Sequence, residues 1–198
     1  MIALVDYGAG NIRSMREALN RAGAEYEVTD SVSAIQRADR VIIPGVGEAA
    51  SAMHEIRERG LADIIPSLTV PVLGVCIGMQ VLCRHSEEGE TDCLGIIPCD
   101  VRKLTPNSAE PKIPHIGWNT LYRLEGPLFE GIADDSWVYY VHSYAADICD
   151  STVAVTRYTR SFSAALQKDN FFGVQFHPEK SASAGAKIIS NFLSVTSF

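Results

Sequence analysis

The chain has no apolar run approaching the ~20 residues needed to span a bilayer, and its opening residues carry no basic, apolar, small-residue signal. A cytoplasmic chain with no membrane partner is expected. It also lacks any lysine- or arginine-rich run. Its 17 basic residues against 24 acidic ones leave a net charge of −7, so nucleic acid finds no electrostatic footprint. The five cysteines (Cys76, Cys83, Cys93, Cys99, Cys149) are odd in number and contain no C-x-x-C pair. That usage fits reduced thiols, not a disulfide framework or a zinc site. No set of His and Cys residues falls at a metal-ligand spacing, so neither a metal nor an organic cofactor is expected. Internal repeats, linkers and low-complexity stretches are missing as well, and 198 residues suit a single domain over 1–198.

What is present alternates. Met1 to Asp6 reads as a short apolar strand, and Ile12, Met15, Ala18, Leu19 and Ala22 recur at helical spacing before Gly23. A strand around Tyr26 to Thr29 completes a βαβ opening. Val41-Ile42-Ile43 then enters Pro44-Gly45-Val46-Gly47, Glu48 to Arg59 reads as a helix closed by Gly60, and Val70 to Val75 as another buried strand. Such alternation favours a parallel sheet covered on both faces. From Cys99 onward the pattern is strand-rich (Asp100–Leu104, Trp137–Val141, Val153–Thr156, Ala164–Gln167, Phe171–Phe176), with Ser183 to Leu193 as a closing helix. The expectation is that this half extends the one sheet.

Two segments carry chemistry. In Gly74-Val75-Cys76-Ile77-Gly78-Met79-Gln80 a cysteine sits at a glycine-flanked turn between a strand and a helix, the arrangement of a nucleophile elbow. The helix N-terminus there favours thiolate over thiol. A buried structural cysteine is the alternative. In Gln175-Phe176-His177-Pro178-Glu179 a strand ends in a histidine, Pro178 fixes the turn, and Glu179 can reach back to the imidazole. Cysteine, imidazole and carboxylate are the residue types of a nucleophile, its base and the base's orienter. His54, His85, His115 and His142 stand as alternative bases.

Taken together these segments resemble the class-I, or triad, glutamine amidotransferases over nearly the whole chain, with Cys76, His177 and Glu179 at the triad positions. Four more segments are similar to the branch of that family that serves imidazole glycerol phosphate synthase. They are Asp6-Tyr7-Gly8-Ala9-Gly10-Asn11-Ile12, Pro44-Gly45-Val46-Gly47, Pro114-His115-Ile116-Gly117-Trp118-Asn119 and Tyr140-Val141-His142-Ser143-Tyr144. Met79 and Lys180-Ser181 point the same way, whereas Ala145-Ala146 departs from a pattern in which an aromatic is usual.

The resemblance implies an α/β fold of the class-I glutamine amidotransferase type: a central, mostly parallel, flavodoxin-like sheet with helices on both faces. It implies hydrolysis of glutamine to glutamate and ammonia through a cysteine thioester. The oxyanion hole would come from the Ile77 N–H and the Gly45–Val46 peptide, whose N–H points inward only when that strand rearranges. Gln80, Glu88 and the backbone of His142, Ser143 and Tyr144 would bind the head of the substrate glutamine. The implied partner is a separate cyclase subunit, a (β/α)8 barrel, which uses the ammonia to form imidazole glycerol phosphate and AICAR in histidine biosynthesis. Asn11, Trp118 and Tyr140 would face it. The alternatives are a non-catalytic regulatory subunit of the same fold and a stand-alone cysteine hydrolase.

Overall fold

The computed structural model describes residues 1–8, 12–110 and 112–196. Its first half is β1 (Ile2–Val5), α1 (Ile12–Arg21), β2 (Tyr26–Thr29), α2 (Val32–Arg37), β3 (Arg40–Ile43), α3 (Ala49–Glu58), β4 (Val72–Val75) and α4 (Ile77–Leu82). All of β1 and β4 is buried, which is why these strands read as unbroken apolar runs and not as alternating ones. In contrast α1 alternates, burying Met15, Ala18 and Leu19 on one stripe.

The second half runs β5 (His85–Ser86), β6 (Thr91–Asp92), β7 (Asp100–Lys103), β8 (His115–Thr120), β9 (Trp137–His142), β10 (Tyr144–Ala146), β11 (Thr152–Arg157), β12 (Ser161–Lys168), β13 (Phe171–Val174) and α5 (Ala182–Ser194). Seven strands form the main sheet in the order β11-β12-β13-β4-β3-β1-β2. The pairs from β13 to β2 are parallel, and β11–β12–β13 closes one edge as an antiparallel meander. From β1 the chain steps outward to β2, then β3 to β4 steps the opposite way. Right-handed crossovers therefore put α1 and α3 on opposite faces, and the carboxyl ends of β3, β4 and β13 meet at one place, where sheets of this kind form sites.

The strand-rich half does not extend one sheet, contrary to the expectation. Only β11, β12 and β13 join it; β10-β7-β5-β6 form a second sheet, and β8-β9 a two-stranded ribbon. With β13 paired to β4 and the meander added outside it, that edge is occupied, and the remaining strands lie elsewhere. The strand read as Phe171 to Phe176 also ends early, at Val174. Beyond it the backbone changes partners: the Gln175 N–H still donates to the Ala164 carbonyl of β12, but the His177 N–H donates to Tyr139 of the ribbon at 2.9 Å. That switch carries His177 out of the sheet and over the end of β4. Helix α2 and the strands β5, β6, β8 and β10 had no clear period in the sequence.

Candidate active site

Cys76 follows β4 directly and precedes the first residue of α4, with φ 55° and ψ −110°. An L-residue is strained there. The conformation persists because its surroundings over-determine it: the Cys76 N–H donates to the Val174 carbonyl at 2.8 Å, and the Cys76 carbonyl accepts from Met79 and Gln80 in the first turn of α4. The turn is also closely packed. A Cβ on Gly78 would stand 1.9 Å from the Ile43 carbonyl oxygen, and one on Gly45 2.4 Å from the Gly78 nitrogen, so only glycine lets the end of β3 approach the elbow. The Pro44-Gly45-Val46-Gly47 segment is thereby pressed against the helix that follows Cys76.

His177 comes from the other side of β4. Its Nδ1 lies 2.9 Å from Glu179 Oε1, and both side chains are buried. The Ser181 hydroxyl donates to the His177 carbonyl at 2.6 Å and accepts from the Tyr139 N–H at 2.9 Å, which pins the His-Pro-Glu turn to the ribbon. His177 Nε2 is buried and has no hydrogen-bond partner among the described residues. Burial opposes a charged imidazole, but the Cys76 sulfur and the Glu179 carboxylate outweigh it and raise the His177 pKa well above the ordinary histidine value. The ring is thus poised to hold a proton beside the sulfur.

A cavity of about 330 Å³ opens onto this pair. Its lining contains Cys76, Ile77, His177 and Val46, and all five residues expected around the substrate: Gln80, Glu88, His142, Ser143 and Tyr144. Gly47, Pro114 and Val141 complete it. Gln80 is buried; its Nε2 donates to the Tyr144 carbonyl and to Gln175 Oε1, both at 3.0 Å. Glu88 is half-buried and accepts the Ala49 N–H at 2.8 Å, so it closes the first turn of α3 while it faces the cavity. Burial raises its pKa, a rise the Ala49 hydrogen bond partly offsets. The site therefore presents a thiol, an imidazole–carboxylate pair and a wall of amide and carboxylate groups, which together can attack a carboxamide.

The expected partner-facing residues divide. Trp118 is 48% exposed on β8. Tyr140 is wholly buried, its hydroxyl within 2.6 Å of Thr156 Oγ1, because the pleat of β9 turns Val138, Tyr140 and His142 inward and Trp137, Tyr139 and Val141 toward the surface. It cannot belong to a surface. Asn11 lies outside the described residues. Ala145-Ala146, the departure from the family pattern, is fully buried in β10 against Arg102 and Val101.

Sequence reasoning missed Tyr7 and Gln175. The buried Tyr7 hydroxyl donates to the Pro44 carbonyl at 2.6 Å, and burial pushes its phenol pKa up, so it stays a donor. Gln175 Nε2 lies 3.7 Å from Cys76 Sγ. Both residues were inside recognised motifs, but no spacing rule connects either to Cys76. Among the described residues no helix is long and apolar enough to cross a membrane, and no group of His, Cys, Asp and Glu could hold a metal ion.

Residues 3–195 match the family model "Glutamine amidotransferase class-I". The chain is 50% identical over 192 residues to imidazole glycerol phosphate synthase subunit HisH of Bacteroides thetaiotaomicron, covering 97% of this chain and 98% of that one. It is 47% identical over 194 residues to the subunit of the same name from Escherichia coli, again covering 97% and 98%. A solved glutamine amidotransferase structure, 18% identical, superposes with a TM-score of 0.75 over 98% of this chain and 97% of the other.

Proposed function

The chain belongs to the class-I glutamine amidotransferase family, and from that membership we propose that it is the one-domain glutaminase subunit of an imidazole glycerol phosphate synthase, supplying ammonia to a cyclase subunit in histidine biosynthesis. The observation that carries the reading is the strained Cys76 at the end of β4, opening into one cavity with His177 while Glu179 holds the far side of the imidazole. Cys76 and His177 exchange the proton, and the thiolate attacks the carboxamide carbon of glutamine. The resulting oxyanion accepts from the Ile77 N–H and, once the Gly45–Val46 peptide is turned inward, from the Val46 N–H. His177 then protonates the departing nitrogen, and ammonia leaves. In the second half the same imidazole takes a proton from water, the hydroxide opens the thioester, and glutamate is released. Gln80 and Glu88 with the backbone at His142, Ser143 and Tyr144 hold the amino-acid head.

The partner is a (β/α)8-barrel cyclase, and the ribbon offers it a face: Ile116, Trp118 and Trp137 are exposed large apolar side chains on β8 and β9, and Ile116 is paired with Val141 at the cavity rim. Enclosure there keeps ammonia from being protonated in bulk water. The test compares glutamate production by the free chain, by its complex with the cyclase, and by the complex with the cyclase's ligand bound. Low, intermediate and high rates are expected in that order. Equal rates in all three would remove the synthase assignment, and no glutamate in any would remove the glutaminase one.

A further inference from the structure

The cavity wall contains more hydrogen-bonding groups than the reaction uses, and they are not independent. Asn119, on β8 beside the exposed Trp118, has an amide fixed on two sides: its Nδ2 donates to the Arg157 carbonyl at 3.0 Å and its Oδ1 accepts the Thr120 N–H at 2.8 Å. The second Nδ2 hydrogen points to His115 Nε2 at 3.3 Å. Because an amide nitrogen only donates, His115 Nε2 must be the acceptor, and in the neutral ring the proton sits on Nδ1. His115 Nδ1 lies 3.0 Å from His142 Nε2, so it donates and His142 accepts. His142 then carries its own proton on Nδ1, which donates to the Tyr144 carbonyl at 2.8 Å. A carbonyl can only accept, so the far end of the series demands the same assignment as the near one.

The series continues to the nucleophile. The Tyr144 carbonyl also accepts from Gln80 Nε2, whose other hydrogen goes to Gln175 Oε1. Gln175 is thereby oriented with its Nε2 toward Cys76 Sγ at 3.7 Å. We infer that Asn119, His115, His142, Gln80 and Gln175 form one ordered hydrogen-bond chain from the outer ribbon to the Cys76 sulfur, in which Gln175 donates an N–H to the nucleophile and the two histidines are positioning residues.

The surroundings suit fixed, uncharged rings. His115 is sandwiched between Tyr158 and Tyr140, with centroids at 4.0 and 4.8 Å. Burial lowers its pKa to about 4 and, joined by the neighbouring His115 charge, lowers that of His142 to about 3. Charges on His177 and Arg160 act on His142 in the same direction. A ring that stays neutral across the working pH range keeps its tautomer, and because the Tyr144 carbonyl accepts from both His142 and Gln80, the donors on either side of it are fixed in direction. An N–H aimed at the sulfur can donate to negative charge that develops on it.

The link to catalysis rests on Cys76 being the nucleophile; the proton assignment does not. The full chain labelled with 15N-histidine, read by long-range 1H–15N correlation, is expected to show His115 and His142 both neutral with the proton on Nδ1. A proton on Nε2 of either ring overturns the inference. In Asn119→Asp the carboxylate offers no N–H, so His115 must bring a proton to Nε2, and the His142 signals are expected to change although Asn119 does not touch that ring. Unchanged His142 signals would break the chain at its first link. Gln175→Leu is expected to slow iodoacetamide alkylation of Cys76 about tenfold, the worth of one hydrogen bond to a charged group. An unchanged rate in a folded variant removes the last link, and Gln175→Met serves if Gln175→Leu does not fold. A wild-type Cys76 that is inert to iodoacetamide while both rings carry Nδ1–H would refute the functional reading separately.

Discussion

The Tyr7 hydroxyl donates to the Pro44 carbonyl across 2.6 Å of buried interior, joining the end of β1 to the segment that leads into Gly45 and Val46. The anchored peptide immediately precedes the one whose N–H is assigned to the oxyanion, so Tyr7 confines any rearrangement to Gly45, Val46 and Gly47. Tyr7→Phe leaves the carbonyl unpaired in a dry site. We expect a loss of about 1–2 kcal/mol in urea unfolding, together with a lower kcat for glutamine in the ligand-loaded complex and a KM within about twofold of wild type, since the tetrahedral state is affected more than substrate binding. A raised KM with unchanged kcat would place the effect in the substrate pocket instead.

Cys76 is both the proposed nucleophile and a strained residue. Cys76→Ala should abolish glutamine-dependent synthesis in the complex and leave synthesis from added ammonia intact, because the cyclase step does not use the thiol. Cys76→Gly should do the same while being more stable than Cys76→Ala by about 1 kcal/mol, since glycine tolerates φ 55°, ψ −110° and alanine does not. Chemical denaturation of the two variants decides it. Equal stabilities would mean that the elbow relaxes when the sulfur is removed.

The elbow and the His-Pro-Glu turn were legible because each is local: a strand, a turn of demanding geometry and the next element lie within a few residues. The parallel half was legible for a related reason, its strands being buried on both faces and its helices carrying a clear stripe. Of the β8–β9 ribbon, the strand at Trp137–Val141 was read, but β8 and the inward face of the pair were not. That inward face is built from His115, Tyr140 and His142, polar or aromatic groups satisfied by one another, by Asn119, by Thr156 and by the Tyr144 carbonyl. No hydropathy pattern marks such a face as interior, so Tyr140 reads as a surface aromatic until the pleat of β9 is known. Gln175 is hidden in another way. Its partners Gln80 and Cys76 are distant in sequence, and only the register of β13 on β4 brings them together.

The division between Trp118 and Tyr140 gives a paired prediction. Trp118→Ala removes an exposed ring and should weaken binding of the cyclase tenfold or more, as loss of an interface aromatic does, with unfolding stability within about 0.5 kcal/mol of wild type. Tyr140→Phe removes a hydroxyl paired with Thr156 inside the protein, so it should cost about 1 kcal/mol of stability and leave cyclase affinity unchanged. Calorimetric titration with the cyclase and urea unfolding separate the two. The opposite pattern would mean that the docking surface is not this ribbon face.

Three buried histidines contribute to the pH dependence of stability, and their signs differ. His115 and His142 have pKa values depressed to about 4 and about 3, so below the ordinary value of 6.5 the unfolded chain binds protons that the folded chain refuses. Their contribution is complete above pH 6.5 and is lost as the pH falls toward 4. His177 is the reverse case. Its pKa is raised, so its contribution is complete below pH 6.5 and drains away as the pH rises through the folded-state value. Stability should therefore peak near neutrality, with an acid limb whose slope approaches two protons and an alkaline limb with a share of up to one. Urea unfolding from pH 4 to 9 should show both. Glu179→Gln removes a charge that holds the proton on His177 and should flatten the alkaline limb while leaving the acid limb as it was; an acid limb that flattened instead would assign the uptake to His177 and not to the ribbon pair.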